Sequence, residues 1–219
     1  MSKIKKPAKT KRPAKTRGPA KTRGPAKTGR SQRSRAEILD AAWDLIAARG
    51  ADVSLAEIAE TVGMTRQSIY VHFGSRGGLL VALARRADER EDIFARFDAA
   101  LAIPDPAERL DRYVKAWLVF VPKIHPLASD LIRLRVTDPD AERAWSDRMA
   151  DLLDCFRALA ASLARDGALA PGWTAARAAD YLWAACSVQA WALLVCERGW
   201  SPAAASKTIR ASLARVLLA

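Results

Sequence analysis

The sequence predicts an all-α protein: a basic tail, then a small helical N-terminal domain, then a larger helical C-terminal domain. Three observations predict it. From residue 34 onward the hydrophobic residues recur at i, i+3, i+4 and i+7, and strand-like alternation is absent. S-x-x-E capping boxes stand at Ser34–Glu37 and Ser54–Glu57, each pattern satisfying two orphan backbone N–H groups at a helix start. In the second half, Asp105-Pro106 and Asp138-Pro139 place proline at a first helical position, where its missing N–H costs nothing. Hydrophobic residues make up 50% of the 219, enough for a substantial core in one or two domains.

The tail comes first, at residues 1–33. Pro7–Arg12, Pro13–Gly18, Pro19–Gly24 and Pro25–Arg30 are four versions of one PAKTRG hexad. A proline at every sixth position stops a helix, and there is no apolar surface to bury, so the segment is expected to be disordered and extended. Residues 1–35 hold 14 of the 36 Lys and Arg and none of the 24 acids, which leaves 22 bases against 24 acids in the body. The nucleic-acid signal in the charge therefore lies in the tail alone. Each phosphate that it neutralised would steepen the salt dependence of binding by about 0.9 in log–log slope, whatever the DNA sequence. Solubility, RNA and anionic lipid remain alternative uses for it.

Helix 1 is expected to open at Ser34, to bury Ile38, Ala41, Ala42, Leu45 and Ile46, and to end at Gly50. Arg33 and Arg35 stand where the tail joins it. Helix 2 begins at Leu55 behind the Ser54 cap, and Leu55, Ile58, Ala59 and Val62 form its buried stripe. Gly63 ends it, and Thr65 caps helix 3. At 100° per residue, Ile69 and Phe73 of helix 3 face inward, Gln67 and Val71 outward, with Ser68 and Tyr70 at the flanks. Gln pairs with adenine, Arg with guanine, and valine packs on a thymine methyl, so this face suits a major groove. Thr65, Tyr70 and His72 suit phosphate oxygens. An ordinary solvated helical hairpin would show the same periodicity.

The surrounding residues are more specific. From Ser34 to Leu80 the chain resembles the DNA-binding region of the tetracycline-repressor (TetR) family of bacterial regulators. The matching pieces are AEILDAAWDLIAARG at 36–50, SLAEIAETVGMT at 54–65, SIYVHF at 68–73 and SRGGLL at 75–80. The resemblance implies a helix-turn-helix domain over residues 34–80, a ligand-binding and dimerisation domain over 81–219, and about nine helices. It also implies DNA contacts from Arg33, Arg35, Ser54, Thr65, Arg66, Gln67, Ser68, Tyr70, Val71, His72 and Arg76. The chain departs from the family where Arg76 and Gly77 replace the usual Lys and acid. Gly77 and Gly78 weaken a first helical turn by roughly 1 kcal/mol each relative to Ala, which reads as a looser hinge.

A single helix is expected from Ser75 to Leu101, with Leu79, Leu80, Leu83 and Ala87 in the DNA-binding core and Ile93, Phe94 and Phe97 facing the next one. Further helices start at Pro106, near Pro126, at Pro139, at Thr174 and at Pro202. Trp117, Phe120, Val121, Trp145, Met149, Leu152, Phe156 and Trp183 form an apolar centre. That centre is either a packed core or, as the resemblance favours, a cavity for an apolar or aromatic effector. The resemblance further implies that Leu182, Ala185, Gln189, Ala192, Ile209, Leu213 and Leu217 on the last two helices pair with a second copy. Such a homodimer would place two reading helices about 34 Å apart over a palindrome; intramolecular packing is the alternative.

Cys155, Cys186 and Cys196 lack CxxC spacing, so neither a disulfide framework nor a metal site is expected. No nucleophile–base set, phosphate loop or clustered carboxylates point to an enzyme, and no cofactor is expected. No apolar run reaches the ~18 residues of a membrane span, and the basic start lacks the apolar core of a signal peptide. The expected protein is a cytoplasmic, nucleoid-associated bacterial regulator, most simply a repressor that leaves double-stranded DNA when a small molecule binds. An architectural protein that binds DNA mainly through its tail is the alternative.

Overall fold

The structure, a computed structural model, describes residues 26–49 and 53–219, with the side chains of residues 26–34 and of Ala47 outside that description. The repeats up to Pro25, Gly50 and the side chains of Arg33 and Ser34 thus lie outside the described residues. The described chain forms α1 (Ala26–Arg49), α2 (Leu55–Thr61), α3 (Arg66–Phe73), α4 (Arg76–Glu91) and α5 (Ile93–Leu101). It continues with α6 (Pro106–Leu134), α7 (Pro139–Arg165), α8 (Ala175–Ala185), α9 (Val188–Ala192) and α10 (Pro202–Leu217). A π-helical turn, Leu193–Glu197, extends α9. Among the described residues no strand occurs; one isolated bridge joins Leu169 and Leu218. No single described helix is long and apolar enough to cross a membrane.

Four expected boundaries move, each for a physical reason. The backbone of α1 is already helical at Ala26, the first described residue and eight residues before the expected cap, because residues 26–49 contain no proline to stop it. The expected helix over 75–101 is two helices, broken at Asp92, which adopts the left-handed conformation (φ 50°). The break re-aims the chain. The α4 stripe ends at Ala87, and Ile93, Phe97 and Ala100 bury a new face out of phase with it.

No separate helix opens near Pro126: α6 runs through both Pro122 and Pro126. An interior proline costs about 3 kcal/mol or more. Against that, Trp117, Leu118, Phe120, Val121, Leu127 and Leu131 are all buried on this helix, at roughly 1.5–3 kcal/mol each, so burial outweighs both breaks. The expected helix over 174–198 is also divided. Cys186 ends α8, and Ser187 Oγ accepts the Ala190 N–H to start α9, at a bend of 41°. With the extra breaks and the merger, ten α-helices stand among the described residues where about nine are expected.

Two apolar cores result. One holds Ile38, Ala42, Ile46, Leu55, Ile58, Ile69, Phe73, Leu79, Leu80 and Leu83, and it takes in Leu127, Leu131, Ala141, Ala144 and Trp145 from α6 and α7. The other is built from α5 to α10 and includes Ala87, which the sequence places with the first. α4 rests on both α6 and α7 and α1 rests on α6, while α2 and α3 pack against α1 and α4. Ala128 and Met149 touch both cores.

Candidate nucleic-acid interface and apolar cavity

The capping box at the start of α2 is complete: Ser54 N donates to Glu57 Oε2 at 2.7 Å, and Glu57 N donates to Ser54 Oγ at 3.2 Å. Those bonds lower the pKa of Glu57 and occupy Ser54 as a helix cap. Gly63 takes the turn with φ 65°, and Thr65 Oγ1 accepts the Ser68 N–H while bonding to Ser68 Oγ at 2.9 Å. On α3, Ile69 (1% exposed) and Phe73 (8%) are buried, while Val71 is 77% exposed and Arg66 and Gln67 are also outside. Ser68, Tyr70 and His72 are half-buried at the flanks. Arg66 lies over the Tyr70 ring, 5.6 Å from its centroid, and bonds its hydroxyl at 3.2 Å. A ridge of Arg66, Gln67, Val71 and Tyr70 thus projects from a helix held by two inward hydrophobics.

Two arginines expected to contact DNA have partners within the chain. Arg35 Nη1 donates to the carbonyl of His72 at 2.7 Å and stacks over the Phe73 ring, so it caps the C-terminus of α3. Arg76 Nη2 meets Asp130 of α6 at 2.6 Å, and Asp130 is 2% exposed and also bound by Arg133. The two glycines after Arg76 are close contacts rather than a loose hinge. A Cβ on Gly77 would stand 2.9 Å from the Ala141 backbone nitrogen, and one on Gly78 would stand 2.1 Å from the Phe73 carbonyl oxygen.

A cavity lies between α4, α5, α6 and α7, with an open volume of about 60 Å³. Of the expected lining, Trp117, Trp145, Met149 and Leu152 face it. Phe120, Val121 and Phe156 do not; they are 1% exposed or less and fill the surrounding core, because their helix faces point into neighbouring helices. Trp183 is tied outside the cavity, its Nε1 donating to the Met149 carbonyl at 3.1 Å. Ile93, Phe94 and Phe97 of α5 complete the apolar wall.

Three charged residues also line this wall, Asp88, Arg148 and Asp151, none of them among the lining expected from the sequence. Asp88 of α4 is 5% exposed and pairs with Arg148 Nη2 at 2.7 Å; Arg148 Nη1 reaches Asp151 at 3.4 Å. Burial raises the pKa of Asp88, Arg148 opposes that rise, and Asp151 and Glu89 add to it. The available signal was spacing, since Leu80, Ala84 and Asp88 are four apart and share one face of α4.

Three residues of the expected pairing surface are internal. Leu182, Leu213 and Leu217 are 1% exposed or less, because α8 packs on α7 and α10 on α6. Ala185, Ala192 and Ile209 are half-buried and Gln189 is exposed. Tyr181, Leu193, Trp200 and Val216 are the large apolar residues left outside on this side of the chain.

Comparison with known proteins places the similarity on the same segment. Residues 38–83 match the family described as bacterial regulatory proteins, tetR family. The HTH-type transcriptional regulator TtgR of Pseudomonas putida is 39% identical over 77 residues, covering 35% of this chain and 37% of that protein. The HTH-type transcriptional repressor Rv1474c of Mycobacterium tuberculosis is 29% identical over 126 residues, covering 54% and 59%. The chain thus spans less than two thirds of the length of these relatives. Among solved structures, a transcriptional regulator from Saccharomonospora viridis in complex with choline superposes with a TM-score of 0.67 at 21% identity, covering 86% of this chain and 99% of that one. A TetR-family regulator from Rhodococcus sp. gives 0.65 at 18%, covering 85% and 99%. At these identities the two structures share the fold.

Proposed function

We propose, from the premise that this chain belongs to the TetR family of bacterial regulators, that it is a DNA-binding transcriptional repressor. The observation that carries this reading is the division of α3: Ile69 and Phe73 are buried, while Gln67 and Val71 face outward. Only the outward set can meet base edges, and it combines a bidentate donor–acceptor with a methyl-sized apolar surface. Val71 at 77% exposure has no role in the chain's own packing.

A homodimer suits the exposed apolar residues Tyr181, Leu193, Trp200 and Val216, and two copies of α3 would then read two half-sites. The effector reading rests on the cavity and on its walls. Trp145 and Leu131 line it and also belong to the core beneath the DNA-facing helices. A ligand pocket of drug size holds ~300–1,000 Å³, so an effector would have to select a conformation with this small cavity opened. Such a protein acts where the DNA is, in the cytoplasm. The architectural alternative has less support, since the family match covers the helix-turn-helix and leaves the tail outside.

Footprinting on the DNA upstream of the gene and its neighbours tests the proposal. One short palindrome protected at high salt is the expected result. Protection without sequence preference, abolished by removing residues 1–25, would overturn it in favour of the architectural reading.

A further inference from the structure

Resting on the reading of the cavity as the effector site, we propose that its ligand is an aromatic or apolar molecule bearing one cationic amine, held at the end of the cavity formed by Asp88, Arg148 and Asp151. Elsewhere the wall is hydrocarbon and aromatic: Phe94, Phe97, Trp117 and Trp145 stand among aliphatic residues. At this end three charged groups meet, two carboxylates and one guanidinium. Arg148 is shared. It lies 2.7 Å from Asp88 and 3.4 Å from Asp151, leaving the local sum one negative charge in excess, with Glu89 adding to the field on Asp88.

Charge complementarity then separates three ligand types. A ligand carboxylate would have to compete with two carboxylates of the protein for one guanidinium, leaving Asp88, 5% exposed, without its partner. A neutral ligand gains at most a hydrogen bond to a carboxylate here, with no charge attraction. An ammonium group bonds the spare carboxylate oxygens without breaking the pair, and nearby aromatic faces favour a cation further. The arrangement also ties recognition to position, since Asp88 belongs to α4 and Arg148 to α7. A cation bridging Asp88 to Asp151 would act on the relative placement of these two helices.

The test uses the full chain and three probes of one shape: phenylbutylamine, phenylbutanol and phenylbutyrate, titrated by quenching of Trp emission. The amine is expected to bind at least ten times more tightly than either of the others. That preference should shrink severalfold in Asp151→Asn, whose side chain is 57% exposed and tolerates the change, and vanish in Asp88→Asn if that variant retains its helical circular dichroism. Equal or tighter binding of the alcohol or the acid would overturn the charge assignment while leaving the cavity an effector site. An amine preference unchanged in Asp151→Asn and in a folded Asp88→Asn would place the cation elsewhere and overturn it. Absence of quenching by all three also overturns it; the effector reading would then be judged separately, by whether altering the cavity walls changes operator affinity.

Discussion

At the residue scale, side chains on or beside α3 divide into those that are free to meet DNA and those that hold the helix in place. Gln67 and Val71 are free. Replacing Gln67 with Ala should cost roughly 1–3 kcal/mol of discrimination at one base pair, and Val71→Ala should weaken binding where a thymine methyl is lost, with melting temperature unchanged in both. Fluorescence anisotropy on the footprinted site and on single-base variants checks this. Arg76 belongs to the second group. Its partner Asp130 is 2% exposed, and Arg133 still holds the other carboxylate oxygen, so Arg76→Ala should destabilise by less than the roughly 3–5 kcal/mol of a fully orphaned buried charge. A phosphate contact would instead leave stability alone and reduce the salt slope of DNA binding by about 0.9. The expected outcome is a lower melting temperature with an unchanged slope. The division of α3 was legible in the sequence because Ile69 and Phe73 alone keep helical spacing there. Arg35 and Arg76 were not, since a positive charge beside a DNA-binding helix reads the same whether it faces a phosphate, a helix C-terminus or a distant carboxylate.

At the element scale, the junction between α3 and α4 decides how firmly the reading helix follows the body. Helix propensity says that Ala at position 78 should stabilise the first turn of α4 by about 1 kcal/mol. Packing says the opposite. A Cβ there would stand 2.1 Å from the Phe73 carbonyl oxygen, which is backbone and cannot rotate away. Overpacking of this kind costs about 1–3 kcal/mol, so the sign of the change separates the two effects. Gly78→Ala should lower the melting temperature and weaken operator binding, and a stabilised variant with full affinity would restore the loose-hinge reading. Periodicity showed that each of these elements was helical and which face was buried. It did not show the breaks at Asp92 and Ser187 or the continuity through Pro122 and Pro126. Each of those depends on which neighbour the next apolar stripe must reach, and no local window contains that information.

At the scale of the whole molecule, α6 joins the cavity to the DNA-facing core. Leu127 and Leu131 line the cavity and pack beneath α1–α4, Ala128 touches both cores, and Asp130 between them holds Arg76. Trp145 does the same from α7, which the sequence reading placed only in the effector domain; spacing tells that a tryptophan is buried but not beneath which helices. An open volume of about 60 Å³ cannot take a phenyl side chain grafted onto Ala128 without moving α6 relative to α4 and α7. Ala128→Phe should therefore act as a partial effector, lowering operator affinity at least tenfold with no ligand present while the fold persists. Leu152→Phe is the contrasting change. It fills the same cavity from a residue that packs only in the C-terminal core, so its effect on DNA should be smaller at a comparable loss of stability. Anisotropy titrations of both variants, run beside thermal melts, check the pair. If Ala128→Phe melts as the parent does and binds the operator unchanged, α6 does not transmit the state of the cavity, and the control of DNA binding has to run through another contact.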